Sequence, residues 1–188
     1  MKKNKTKKKN KLKIMEGHQI PHVIFKSRVR DTKIKKNPYR WKTLKSKDLF
    51  NKKCVIFSIP GAFTPTCSSK HVPDFEKHYK ELTKMGIDEV YCVSVNDAFV
   101  MNNWKKKLKL KNVKLLPDGN GDFTKKMGAL VKKNNMGFGD RSWRYSMLID
   151  HGKIIKIFSE PNMKNNHRRD PFSVSSVHNM IKYIRSLD

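Results

Sequence analysis

Cys54-Val55-Ile56-Phe57-Ser58-Ile59-Pro60-Gly61-Ala62-Phe63-Thr64-Pro65-Thr66-Cys67 is the stretch that decides the architecture. Residues 54–59 are almost entirely apolar, as suits a central strand buried on both faces. Pro60-Gly61 ends the run in a turn. Thr64-Pro65 is a helix-start signature, with threonine at the N-cap and proline at the first helical position. Cys67 then falls in the first helical turn, where unpaired N–H groups and the positive end of the helix dipole favour an anion. A thiol so placed is expected to ionise at about pH 5–7, against about 8.5 for a free cysteine. Position alone leaves a second reading open: a small, inert, buried cysteine at an ordinary strand-to-helix junction.

Working outward, residues 20–25 read as an early edge strand, where Pro21 is tolerated. Residues 31–40 read as a polar connection and 42–49 as a short turn or helix. A helix is expected over 65–84, with Val72, Phe75, Tyr79 and Leu82 on its apolar face, Gly86 at C′ and a kink at Pro73. Residues 90–95 form the next strand, Asn96-Asp97 open a helix running past Trp104 and Leu108, and 113–116 make a third strand. A helix is expected over 123–131. Asp150-His151-Gly152 joins two strands, 144–149 and 153–158, as a hairpin. Val177, Ile181 and Ile184 mark a terminal amphipathic helix over 175–187. Such alternation implies an α/β domain with a mixed central sheet and helices on both faces.

The 188 residues suit one domain. No apolar run approaches the ~20 residues of a membrane span. Three cysteines without framework spacing argue for a reducing compartment. There is no C-x-x-C pair, and no zinc-type spacing among the cysteines and seven histidines. The net charge is +27, and it remains about +19 without the eight lysines among residues 1–13. Residues 1–16 read as a disordered Lys-rich leader and 17–188 as the domain. The leader is open to three readings: a solvated tail, a targeting segment, or a polyanion-binding arm. The cytoplasm fits the cysteine usage, and the leader leaves a mitochondrion or plastid-type organelle open.

The octet Pro60 to Cys67 follows the P-x-x-x-T-x-x-C pattern of the peroxiredoxins and closely resembles the peroxiredoxin 5 / plant type II group. Lys70-His71-Val72-Pro73, Val93-Ser94-Val95-Asn96-Asp97, Asp118-Gly119-Asn120-Gly121-Asp122-Phe123 and Arg144-Tyr145-Ser146-Met147 continue the resemblance in order, from about Gly17 to the C-terminus. It implies a thioredoxin-like fold and a thiol-dependent peroxidase that uses no metal, haem or flavin. It also implies that Cys67 is the nucleophile and Arg144 the fixed cation, with Arg141 a nearby competitor. Thr64 would orient peroxide and Pro60 would shield the sulfur. Substrates would be hydrogen peroxide or alkyl hydroperoxides, and the chain would pair as a homodimer.

Recycling of the oxidised sulfur divides the group. Mammalian-type members carry a resolving cysteine near the C-terminus, where this chain has Phe172-Ser173-Val174-Ser175-Ser176. Cys92 matches the second cysteine of plant type II members. As a strand residue it lies ~10 Å from the sheet edge, beyond the ~7 Å between Cα atoms that a disulfide tolerates. A one-cysteine cycle with glutathione/glutaredoxin is therefore expected, with thioredoxin recycling through Cys92 as the alternative. Cys54 reads as structural and His71 as a packing residue. Two other classes stay open: a redox sensor or binding protein using the same cysteine, and a basic protein that binds nucleic acid or a membrane surface. The second lacks a recognisable reading motif.

Overall fold

A computed structural model describes residues 12–31, 33–36 and 38–187. Its centre is a five-stranded sheet whose strands lie in the order Lys114–Pro117, Glu89–Ser94, Cys54–Ile59, Tyr145–Asp150 and Lys153–Ser159. The apolar run becomes β3 (Cys54–Ile59), buried at every residue, with β4 (Glu89–Ser94) and β5 (Lys114–Pro117) beyond it. β3–β4 and β4–β5 are parallel. On the other side β8 (Tyr145–Asp150) and β9 (Lys153–Ser159) run antiparallel, so the sheet is mixed. The β8–β9 turn is the expected Asp150-His151-Gly152, with positive φ at both His151 and Gly152.

Alternation along β3 feeds two cores. Cys54 and Ile56 face one cluster with Phe25, Phe50, Phe123 and Trp143; Val55, Phe57 and Ile59 face the other with Cys67, Phe75, Trp104 and Ile184. The first is covered by α1 (Ser46–Leu49) and α5 (Asp122–Met127). The second is covered by α2 (Val72–Lys77), α3 (Tyr79–Lys84), α4 (Ala98–Lys107) and α6 (Val177–Arg185). Helices therefore lie on both faces of the sheet. Real caps start two of them: Asp97 accepts from the N–H groups of Phe99 and Val100, and Ser176 accepts from that of Asn179.

Three elements differ from expectation. The strand expected over 20–25 is β1 (Ile24–Arg30), and it pairs with β2 (Tyr39–Lys45), which spans the end of the expected polar connection (31–40) and the start of the expected short turn or helix (42–49). Aromatic and β-branched residues alternating with cations make β2 strand-competent although it is largely exposed. The helix expected over 123–131 stops at Met127. Gly128 follows in the left-handed region (φ 74°), and β6 (Leu130–Lys132) then pairs with β7 (Asp140–Ser142). The helix expected over 65–84 is broken into a π-helical turn at Cys67–His71, then α2 and α3, with the second break at His78.

Residues 1–11 of the expected leader lie outside the described residues. Leu12 and Ile14, also assigned to the leader, instead pack on the first core, and the Lys13 N–H donates to the Met127 carbonyl at 3.0 Å. A Cβ at Gly128 would come within 2.5 Å of the Lys13 backbone, so glycine is needed there for space as well as for φ.

Candidate active site

The site forms at the sheet edge where β3 ends and β8 begins. Ser58 pairs with Tyr145, so Pro60 and Arg144, just outside these two strands, emerge at the same edge. Pro60 is buried. The following turn is tight: Phe63 is left-handed (φ 63°), and Asn96 Oδ1 accepts from the Ala62 N–H at 3.0 Å and from Ser94 Oγ at 2.7 Å. The Ser68 N–H then donates to the Thr64 carbonyl, leaving the N–H groups of Thr66 and Cys67 ahead of this bond in the first turn. Trp104 Nε1 clamps the start of the segment by donating to Ser68 Oγ. Pro73 has no N–H to offer the carbonyl four residues back, so the α-helical ladder is interrupted at the π-helical turn that carries Cys67 and His71.

Cys67, His71 and Arg144 are all within 1 % of full burial. Arg144 Nη1 donates to Cys67 Sγ at 3.5 Å and to His71 Nδ1 at 3.0 Å. Its Nη2 donates to both carboxylate oxygens of Asp170 at 2.5 Å. Charge on Cys67 and Asp170 more than offsets the burial of the guanidinium, which is held above its ordinary range. A neutral His71 in one tautomer satisfies both of its partners. Nδ1 accepts from Arg144, and Nε2–H donates to the Ser175 carbonyl at 3.0 Å. Its ring lies between Phe57 and Phe172, with centroids at 4.8 and 4.7 Å.

Burial, with the Arg144 charge second, pushes the His71 pKa well below the ordinary 6.5. The unfolded chain therefore takes up this proton first, so the stability contribution is fully present above about pH 6.5 and is lost as pH falls through the window below it. Unfolding free energy of the wild type should drop by about 1.4 kcal/mol more per pH unit than that of His71→Asn in this window. Parallel denaturant titrations between pH 5 and 7 measure the difference; equal slopes would contradict a buried neutral imidazole.

Glu160 anchors the segment that brings Asp170 in. It is buried, and its N–H donates to the Arg144 carbonyl while its own carbonyl accepts from Trp143 Nε1. Its carboxylate accepts from the N–H groups of Ser173, Val174 and Ser175 and from the hydroxyls of Ser173 and Ser175. Burial opposes this charge, yet those bonds hold the pKa below the usual carboxylate value. Glu160→Ala should cost about 3 kcal/mol, read from the denaturant midpoint, because several buried donors lose their acceptor at once.

Of the residues expected at the site, Cys67 and Arg144 are brought together. Arg141 lies apart, its Nη1 donating to the Val95 carbonyl. The Thr64 hydroxyl donates to the Gly61 carbonyl at 2.8 Å, so it shapes the turn rather than making the expected cap bond to the helix. Cys92 is free and buried, and burial followed by the charge of Cys67 pushes its thiol well above the ordinary range. Burial likewise pushes Cys54 up to about 12. His71 and Asp170 were missed from sequence as partners of the arginine. His71 carried a signal, its position four residues after Cys67. Asp170 carried none, in an irregular segment 26 residues past Arg144. Among the described residues no group of three or more His, Cys, Asp or Glu side chains could hold a metal ion.

The site thus sets a buried thiol beside a guanidinium, on a mixed sheet covered by helices in a thioredoxin-like scaffold. The chain matches the Redoxin family over residues 26–179. It is 51 % identical to peroxiredoxin sll1621 of a Synechocystis species over 176 residues, which is 93 % of each chain. The structure resembles the Plasmodium falciparum antioxidant protein described as a 1-Cys peroxiredoxin, with TM-score 0.85 and 34 % identity over 91 % of this chain and 99 % of that one. It also resembles reduced Prx3 from Vibrio vulnificus in complex with H2O2, with TM-score 0.78 and 31 % identity over 92 % and 96 %. The chain belongs to the redoxin family and, within it, to the peroxiredoxins of the peroxiredoxin 5 / plant type II group, which are thiol-dependent peroxidases.

Proposed function

We propose that the chain reduces hydrogen peroxide and small alkyl hydroperoxides with Cys67 as the attacking sulfur, in a one-cysteine cycle recycled by glutathione and glutaredoxin. The observation that carries this reading is the Arg144 Nη1 contact to Cys67 Sγ inside a buried site. The thiolate attacks one peroxide oxygen in line with the O–O bond. The sulfur becomes a sulfenic acid, and the bonding pair leaves on the other oxygen, which takes a proton to give water or an alcohol. The guanidinium faces the sulfur and stabilises charge moving from it to the departing oxygen. N–H groups of Thr66 and Cys67 add donors from the helix start, Thr64 orients the peroxide, and Pro60 keeps water from the sulfur. The hydrogen peroxide complex of the Vibrio relative supports the substrate class.

Recycling follows from which thiols can take part. Glutathione attacks the sulfenic sulfur, water leaves, and a second thiol, from glutaredoxin or glutathione, reduces the mixed disulfide. Cys92 is a weak candidate for resolving cysteine because its raised pKa leaves it little thiolate at neutral pH. The description of the Plasmodium relative as a 1-Cys enzyme agrees. Cys92→Ser should therefore keep more than about half of the glutathione/glutaredoxin-supported turnover, since a buried thiol that forms no bond in the cycle can be replaced near-isosterically. Turnover as low as with Cys67 removed would favour the alternative cycle, with Cys92 resolving and thioredoxin reducing.

Multiple turnovers with either reductant separate this reading from a redox sensor, which would consume one equivalent of peroxide and stop. A homodimer through the loops around Cys67 belongs to the same reading, supported by the exposed aromatics Phe63 and Phe99. The same reading places the chain in the cytoplasm, with a mitochondrion or plastid-type organelle as the alternative that the basic leader leaves open; residues 1–11 of that leader lie outside the described part. No described helix is long and apolar enough to cross a membrane.

A further inference from the structure

The Arg144 guanidinium is shared between the reacting sulfur and a carboxylate that forms and breaks no bond in the peroxidase chemistry. We propose that Asp170 is a positioning residue for the peroxide reaction: its carboxylate holds the guanidinium in the orientation that presents Nη1 to Cys67, and balances that charge when the sulfur is neutral. The proposal rests on the reading of Cys67 as the attacking sulfur.

The geometry makes the guanidinium a rigid two-sided fork. Nη1 serves Cys67 and His71, Nη2 serves both oxygens of Asp170, and Nε is buried without a hydrogen-bond partner. The group is planar, so fixing Nη2 also fixes the direction of Nη1. The His71 bond to Nη1 acts as a pivot, and the Asp170 contact removes rotation about it. Sulfur at 3.5 Å is the longest contact of the set and cannot hold the fork by itself.

The charge relations point the same way. Arg144 is almost fully buried and needs a counter-ion throughout the cycle. Cys67 is an anion only before attack; as sulfenic acid or mixed disulfide it carries no charge. Asp170 changes no bond in the cycle, so its contact with Nη2 does not depend on the state of the sulfur. A second buried cation, Lys133, is close enough for Asp170 to stabilise its charge and for Arg144 to oppose it, although burial is the larger influence. Its Nζ donates to the His167 carbonyl, three residues before Asp170. One carboxylate thus keeps two buried cations compatible beside the sulfur.

The segment is built to hold that carboxylate still. Phe172 stacks obliquely on His71 and lies 5.6 Å from Arg144 Cζ, and the bonds of Glu160 tie down residues 173–175. Asp170 is attached to the same frame as the arginine it meets. An ordinary surface ion pair would lack both this anchorage and a buried partner.

The test compares full-length wild type, Asp170→Asn, Asp170→Ala and Cys67→Ser by stopped-flow oxidation with hydrogen peroxide between pH 4.5 and 8. The groups facing Arg144 are Cys67, His71 and Asp170, with Lys133 and Cys92 nearby, so the profiles are read as differences between variants. Asparagine keeps an oxygen for Nη2 but removes the charge that competes with sulfur for the guanidinium. Its plateau rate constant should fall only about threefold, and its pH of half-maximal rate should move down by about half a unit. Alanine frees the fork, and its plateau should fall at least about tenfold. A merely loosened site would weaken the Arg144 contact and move the half-maximal pH up in both variants. That result, or wild-type profiles in both, would overturn the proposal. If Asp170→Ala fails to fold, the direction of the asparagine shift decides. Oxidation of Cys67→Ser at the wild-type rate would instead overturn the assignment of the attacking sulfur.

Discussion

Replacing Cys67 by serine should reduce peroxide turnover to the buffer background, a loss of at least about 10⁴-fold, with the fold retained. A hydroxyl is far less acidic than a thiol, so Arg144 Nη1 faces no anion at position 67 near neutral pH, and an oxygen nucleophile does not open the O–O bond at a useful rate. The substitution is small and the site already offers a donor, since Arg144 Nη1 points at the sulfur position. The unfolding midpoint should therefore move by no more than about 1–2 kcal/mol in free-energy terms. Steady-state peroxide consumption with glutathione/glutaredoxin, beside a thermal melt, checks both halves. Substantial turnover in this variant would move the chemistry to another sulfur.

Arg144→Lys and Arg144→Gln should each lower the second-order rate constant for peroxide by about 10²–10³-fold. Lysine keeps a charge but lacks the fork: its single ammonium cannot reach Cys67 and His71 on one side and both oxygens of Asp170 on the other. Glutamine spans some of the distance without charge, so the sulfur loses its counter-ion and the leaving oxygen its stabiliser. Glutamine should also cost about 2–4 kcal/mol of stability, because His71 Nδ1 and Asp170 both lose a donor. Stopped-flow oxidation and denaturant unfolding of the two variants separate the terms. The lysine variant should keep more stability than the glutamine variant while losing comparable rate. A lysine enzyme within threefold of wild type would mean that charge alone, and no directed fork, is what the site needs.

Local patterns in the chain disclose one half of this site and conceal the other. The strand at Cys54–Ile59, the turn after it and the helical entry of Cys67 follow from apolar run length, Pro/Gly punctuation and the position of Pro65. Arg144 is distinguished from Arg141 by the residues after it, and the structure places only Arg144 on the sulfur. Asp170 could not be read in this way, because its contact with Arg144 depends on a path of 26 residues around β8 and β9 and on the buried hub of Glu160. His71 was visible as a helical neighbour of Cys67 but looked like packing, since a neutral histidine among aromatic rings differs little from a core residue in sequence. β2 escaped because cations alternate with its aromatics, and helix α5 ended early because Gly128 admits a left-handed turn. The π-helical turn is the local result of Pro73, anticipated as a kink but resolved as a widened turn under the sulfur.

The most direct measurement is the site of oxidation itself. Reduced protein treated with one equivalent of hydrogen peroxide in the presence of a sulfenic-acid trap, then digested and mapped by mass, should carry the label on Cys67, with Cys54 and Cys92 still free thiols. Label on Cys54 or Cys92, or peroxide consumed with Cys67 left reduced, would contradict the account.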